Sequence, residues 1–254
     1  MNILYKFAED ESGNIIHIEN AVSGQGYSCP GCKAEMILKN GQIRQRHFSH
    51  KNVQNCEGGG EGYLHETFKK LLVEKIKGNI VERKTLDIRF TCNICNGEHS
   101  FDLLYYVADV KIEHSLDGCR PDLVLLDALG RVLFIIEIIV THEPENNVIE
   151  YCKKNGMVLI KINLDDLNDL ENIDNKINRP SEVILFSQMR CPTTVQRHNL
   201  LMHQYMLQPL IPGGRRYGGS RIDAIDAKMN TSANRSKSGN YRSLYQGRGS
   251  RKRR

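Results

Sequence analysis

No apolar run in this chain approaches the ~20 residues a helix needs to cross a bilayer, so no membrane partner is expected. The opening residues, MNILYKFAEDESGN, lack the charged-then-apolar layout of a secretory signal, and the expectation is a cytoplasmic protein. In that compartment the eight cysteines are poor material for disulfides. Four of them form two C-x2-C pairs, Cys29/Cys32 and Cys92/Cys95, a spacing that favours metal. Most of the chain also lacks basic excess. Of 35 Lys+Arg and 30 Asp+Glu, 12 and 2 lie from Pro212 onward, leaving 23 against 28 in residues 1–211. Apolar residues almost vanish from that tail, where Gly, Ser, Arg and Asn dominate, so 212–254 is expected to be a disordered basic arm.

What remains is ordinary for a soluble domain, with 40% hydrophobic and 26% charged residues in 254, enough to bury a core. Residues 1–28 read as short strands with turns, followed by CPGC, an Asn40-Gly41 hairpin signal and HFSH. From Tyr63 to Lys77, Leu64, Phe68, Leu71, Leu72 and Ile76 recur at helical spacing, and Glu61, His65 and Lys69 fall four apart on another face. IVERKTLDIRF and YYVADVKIEH read as strands. PDLVLLDALG and RVLFIIEIIVTH read as consecutive strands, Asn146–Asn155 as a helix closed by Gly156, and MVLIKINL as a further strand. This order predicts an α/β core with a mixed sheet.

One residue breaks the pattern. FIIEIIVTHE suits a buried strand, yet Glu137 stands in its middle, and an ionised carboxylate there needs a metal, a cation or donors. Asp122 opens the preceding strand, and acids on neighbouring strands of one hairpin can meet across the sheet. They would then share a proton or a cation. Oxygen ligands on strands suit Mg²⁺ or Mn²⁺, which generate a hydroxide and steady charge on a phosphodiester oxygen, with Glu61 or Glu113 completing the set. The bland reading is a structural acid held by amides or by Arg120.

The helix with Glu61, the PD strand and the acid-bearing strand resemble the PD-(D/E)XK nuclease fold. More narrowly, the chain resembles the competence-protein CoiA-like family. CPGC at 29–32, HFSH at 47–50, Cys56, Glu61–His65, Lys69, Asp122 and EIIVTH at 137–142 carry the likeness, over roughly Phe7 to Leu164. It implies an α/β, mixed-sheet PD-(D/E)XK nuclease-like core at 58–172, interrupted by a CxxC insertion around 91–99. A small β-rich zinc-ribbon-like module at 1–57 would precede it, with an appendage at 173–211 and the basic tail following. It implies a nuclease acting on DNA, with RNA as the other candidate, in a DNA-uptake or recombination role, with His65 and Lys69 assisting catalysis. One departure stands out: the superfamily carries Lys or Gln two residues after the strand acid, and here that residue is Ile139. Lys69, Lys153, Lys154 or Lys161 would have to reach in, or His142 supply the proton transfer; otherwise the site binds without cutting.

For structural zinc, Cys29 and Cys32 pair with His47 and His50, with Cys56 as a substitute for one histidine. Cys92 and Cys95 have His99 and Cys119 as candidate partners, while Cys152 and Cys191 read as core thiols. Two rivals stand beside the nuclease: a non-catalytic zinc-containing nucleic-acid-binding protein, and a redox or metal-sensing regulator using the C-x2-C pairs.

Overall fold

The computed structural model describes residues 5–41, 45–52, 56, 59–196 and 198; the expected basic arm lies outside them. The N-terminal strands are β1 (Phe7–Asp10), β2 (Ile15–His17), β3 (Tyr27–Ser28), β4 (Glu35–Lys39) and β5 (His47–His50). They form one antiparallel sheet in the order β2-β1-β3-β4-β5, and a bridge from Tyr5 to Phe48 brings the last strand back beside the start of the first. Lys39 pairs with His47, so the Asn40-Gly41 signal opens a longer connection rather than a two-residue turn.

Helix α1 (Gly59–Glu82) follows, longer than the periodicity predicted. Its Leu64, Phe68, Leu72 and Ile76 are buried, and so are Tyr63, Thr67 and Lys69. The strand-like run IVERKTLDIRF splits. Its first residues finish α1, Arg83 takes a left-handed conformation (φ 54°), and only β6 (Asp87–Thr91) is extended. β6 pairs with β7 (Glu98–Asp102) as a two-stranded ribbon whose connection carries Cys92 and Cys95.

The second five-stranded sheet contains β8 (Asp109–Ile112), β9 (Leu123–Leu126), β10 (Val132–Ile139), β11 (Val158–Asn163) and β12 (Glu182–Leu185), in the order β12-β11-β10-β9-β8. β8, β9 and β10 are antiparallel, β10 and β11 parallel, and β12 antiparallel again, which makes the sheet mixed as expected. The parallel step requires a crossover, supplied by α2 (Asn146–Asn155). Gly156 caps α2 in the left-handed conformation at φ 59°, the role its position in the sequence predicts. A short α3 (Ile173–Asn178) leads into β12, so the segment expected as an appendage supplies an edge strand of the main sheet.

One hydrophobic cluster runs from Tyr5 through α1 and the main sheet to Cys191. A smaller one, with Cys119, Ile135, Val148, Cys152 and Leu159, fills the space beneath α2. Tyr63 ties the N-terminal sheet to α1, its hydroxyl donating to the Phe7 carbonyl at 2.9 Å and accepting from the Phe7 amide at 3.1 Å. No described helix is long and apolar enough to cross a membrane.

Candidate functional site

The register of β9 on β10 pairs Leu123 with Ile136, so Asp122 comes opposite Glu137 one step further along. Directly opposed residues of an antiparallel pair share a face. Both line one cleft of about 520 Å³, bounded also by the first turns of α1 and by the segment after β10. The Asp122 amide donates to Glu137 Oε1 at 3.2 Å, and the Ile138 amide donates to Asp122 Oδ2 at 2.9 Å. Burial, then the neighbouring Asp122 charge, pushes the Glu137 carboxyl up to about 7.

Helix α1 supplies the cations. His65 Nε2 lies 3.1 Å from Asp122 Oδ2, and its Nδ1 lies 3.4 Å from Glu66. Burial opposes the imidazolium, but hydrogen bonds to Asp122 and Glu66 win and hold His65 at about 9. One turn on, Lys69 is 1% exposed, so its charge must be met by protein. Its ammonium donates to Glu66 at 2.6 Å and Glu113 at 2.7 Å, and stands 3.8 Å from Asp122 Oδ1. Glu113 sits at φ 45° just past β8, an unusual conformation for a side-chain-bearing residue, and its carboxylate pairs with Lys69 and Arg120. It therefore serves as counter-ion to Lys69 and does not line the cleft. Glu61 lies at the cleft mouth, bonded to the Thr141 hydroxyl and 3.2 Å from His142 Nδ1.

Ile139 is buried. Of the lysines offered in its place, Lys153 and Lys154 are exposed, and Lys154 is paired with Asp117. Lys161 stands in register with Glu137 on β11, but its ammonium is bound by Glu143 at 2.9 Å and Glu182 at 3.0 Å. Lys69 is the one whose ammonium stands within 4 Å of Asp122. Glu66, which joins His65 to Lys69, was not singled out from the sequence; its place one residue after His65 on the same helix was the available signal.

Among the described residues, three or more clustered His, Cys or acidic donors occur at two places. Cys29, Cys32, His50 and Cys56 bring their ligand atoms within 4.8 Å of one another, as do Cys92, Cys95, His99 and Cys191. In a zinc tetrahedron with Zn–S of about 2.3 Å, sulfur–sulfur edges are about 3.8 Å. Cys29 and Cys56 stand 3.8 Å apart, and Cys32 is 3.3 Å from His50 Nε2, so this donor set fits a metal such as zinc. His47 lies outside the cluster. Three residues from His50 on one strand, it leaves by the other face, and its Nδ1 donates to the Gln45 carbonyl at 2.8 Å. At the second cluster the fourth donor is Cys191 rather than Cys119, which is buried with Cys152 under α2. Cys191 is buried in the main hydrophobic cluster, as expected of a core thiol, and it also belongs to this donor set. The carboxylate pair is not such a cluster; it offers two acidic side chains, within the range Mg²⁺ accepts when waters and substrate oxygens complete its shell.

Compared with known proteins, residues 14–58 match the family described as Competence protein CoiA, N-terminal domain, a stretch that contains all four residues of the first cluster. That match supports a CoiA-like N-terminal region. No curated protein and no solved structure matches the chain.

Proposed function

We propose that this protein is a metal-dependent, nuclease-like enzyme that hydrolyses phosphodiester bonds in DNA. The observation that carries the reading is the convergence of Asp122 and Glu137 on one cleft, with a buried lysine directly behind Asp122. The element order supports a PD-(D/E)XK-like core: α1, antiparallel β8-β9-β10, a crossover helix, then parallel β11. The match of residues 14–58 to a competence-protein domain supports a role with DNA taken up or recombined.

Asp122 and Glu137 would hold Mg²⁺ or Mn²⁺, which when bound polarises the phosphodiester and lowers the pKa of a water. The chain's own residues prepare that site. The Ile138 amide and His65 fix the direction of Asp122, and the Asp122 amide fixes Glu137. Lys69 brings the cation that Ile139 does not, from a helix instead of the strand. The remaining acids of the cleft, Glu61, Glu66, Glu143 and Glu145, would repel a bare phosphate backbone. Substrate entry would therefore depend on the divalent ion and on the 12 basic residues of the tail.

Incubation with plasmid and single-stranded DNA in Mg²⁺ or Mn²⁺ tests this. Cleavage by the wild type, lost in both Asp122→Ala and Glu137→Ala, is the expected result. Ile139 and the occupation of Asp122 by His65 favour one alternative, a zinc-containing nucleic-acid-binding protein without catalysis. Salt-sensitive DNA binding with no cleavage by the wild type would establish that alternative.

A further inference from the structure

We propose that Cys92, Cys95, His99 and Cys191 bind a single zinc ion, and that this ion fastens the segment after β12 to the tip of the β6–β7 ribbon. The first support is a repeated turn. At the first C-x2-C pair, the Lys33 amide donates to the Cys29 carbonyl at 2.9 Å and the Cys29 amide to the Ala34 carbonyl at 2.8 Å. At the second, the Asn96 amide donates to the Cys92 carbonyl at 2.9 Å and the Cys92 amide to the Gly97 carbonyl at 2.9 Å. Lys33 and Asn96, each four residues after the first cysteine, both take a left-handed conformation, at φ 61° and 56°. Two unrelated stretches, CPGCKA and CNICNG, are thus folded into the same loop, bond for bond.

Donor chemistry narrows the ion. Three soft thiolates and a borderline imidazole form a donor set that selects zinc over magnesium or calcium. All four ligand atoms lie within 4.8 Å of one another, which surrounds one ion, whereas an iron–sulfur cluster distributes its thiolates over separate irons. The Ile94 amide points at Cys92 Sγ from 3.4 Å and the Thr193 hydroxyl at Cys95 Sγ from 3.6 Å, donors that favour the thiolate form a metal requires.

The tethering role follows from where the fourth ligand comes from. Cys191 is fully buried and follows the edge strand β12 by six residues. The same loop grips that strand through Asn93, which accepts from the Leu185 amide at 2.9 Å and donates to the Leu185 carbonyl at 3.2 Å. Asn93, Cys191 and Thr193 hold residues 185–193 at three points, and a metal bond at the central one makes the grip independent of the surrounding weak contacts.

The test uses the full chain, with zinc per chain measured by metal analysis after exhaustive dialysis. Cys191→Ser is expected to lose one zinc equivalent relative to wild type, and the Cys191-to-Val195 region to exchange its amide hydrogens at least ~10-fold faster. Cys191→His, which keeps a zinc donor, is expected to retain the equivalent, as is Cys119→Ser, whose thiol lies in the other cluster. Cobalt(II) in place of zinc should give a thiolate-ligated tetrahedral spectrum that Cys191→Ser diminishes. Unchanged zinc content and spectrum in Cys191→Ser would overturn the proposal. So would a wild type whose whole zinc content disappears with Cys29→Ser while residues 186–195 stay protected.

Discussion

Asp122 and Glu137 are interlocked through the main chain: the amide of Asp122 bonds the Glu137 carboxylate, and the amide following Glu137 bonds the Asp122 carboxylate. Glu137→Gln keeps an accepting oxygen for the Asp122 amide, so the fold should persist. Divalent-ion-dependent DNA cleavage should fall by roughly 100-fold or more, the scale of several kcal/mol of lost charge stabilisation. Full cleavage by this variant, with its thermal unfolding unchanged, would remove Glu137 from the chemistry.

Lys69→Met leaves Glu66, Glu113 and Asp122 without their shared cation in a poorly hydrated place. The expected loss is about 2–4 kcal/mol, slightly under the usual figure for a broken buried pair because Glu113 is partly exposed. Urea denaturation measures it; a change below ~0.5 kcal/mol would mean that the three acids find solvent or protons without difficulty.

Gly31 abuts the start of α1 so closely that a Cβ placed there would stand 2.8 Å from the Gly62 carbonyl carbon and the Tyr63 nitrogen. Main chain cannot swing aside, so Gly31→Ala should destabilise by about 1–3 kcal/mol. It should also weaken cleavage through displacement of Glu61 and His65. A variant as stable and as active as wild type would show that the helix start tolerates a shift.

Asp169 is buried and accepts from the Asp165 amide at 2.6 Å, with Lys176 3.0 Å away. Burial raises its pKa, but the Asp165 and Asp166 amides and Lys176 lower it more, and the net shift is downward. A depressed carboxyl contributes stability that is fully present above its unfolded value and lost as pH falls through the folded one. Asp169→Asn should therefore be about 1–2 kcal/mol less stable than wild type at neutral pH, with the gap closing below about pH 4. Denaturation midpoints at several pH values test this, and a gap that stays constant into acid would refute it.

Deleting residues 212–254 removes 12 basic and 2 acidic residues. The slope of log affinity for DNA against log salt should become shallower by about 0.7–0.9 for each phosphate the arm would otherwise neutralise. An unchanged slope would show that the arm does not touch nucleic acid.

Features set by near neighbours in the chain were legible in its sequence. The helix at 146–155 and its Gly156 cap were visible because both depend on neighbours a few residues away. Glu137 was conspicuous because it violates its own strand, and its opposition to Asp122 followed from a short hairpin. That His47 and His50 could not both join one cluster was also legible, since three residues along a strand reverses the face, but which of them faces the cysteines was not. Lys69 was harder. Its ammonium is met by Glu113, 44 residues away, which takes an uncommon backbone conformation. Cys191 carried no local mark at all, because its partners Cys92, Cys95 and His99 lie far back in the chain and nothing in CPTTV resembles a metal loop.

The contact between Gly31 and the Gly62–Tyr63 backbone has a consequence for how this chain can be dissected. Peptide planes lying against each other leave no rotamer to absorb a mismatch, so the loop of the first thiol cluster acts as a fixed stop for the helix bearing His65 and Lys69. A fragment beginning at α1 would keep every acid of the cleft and yet lose the surface that tells the helix where to start.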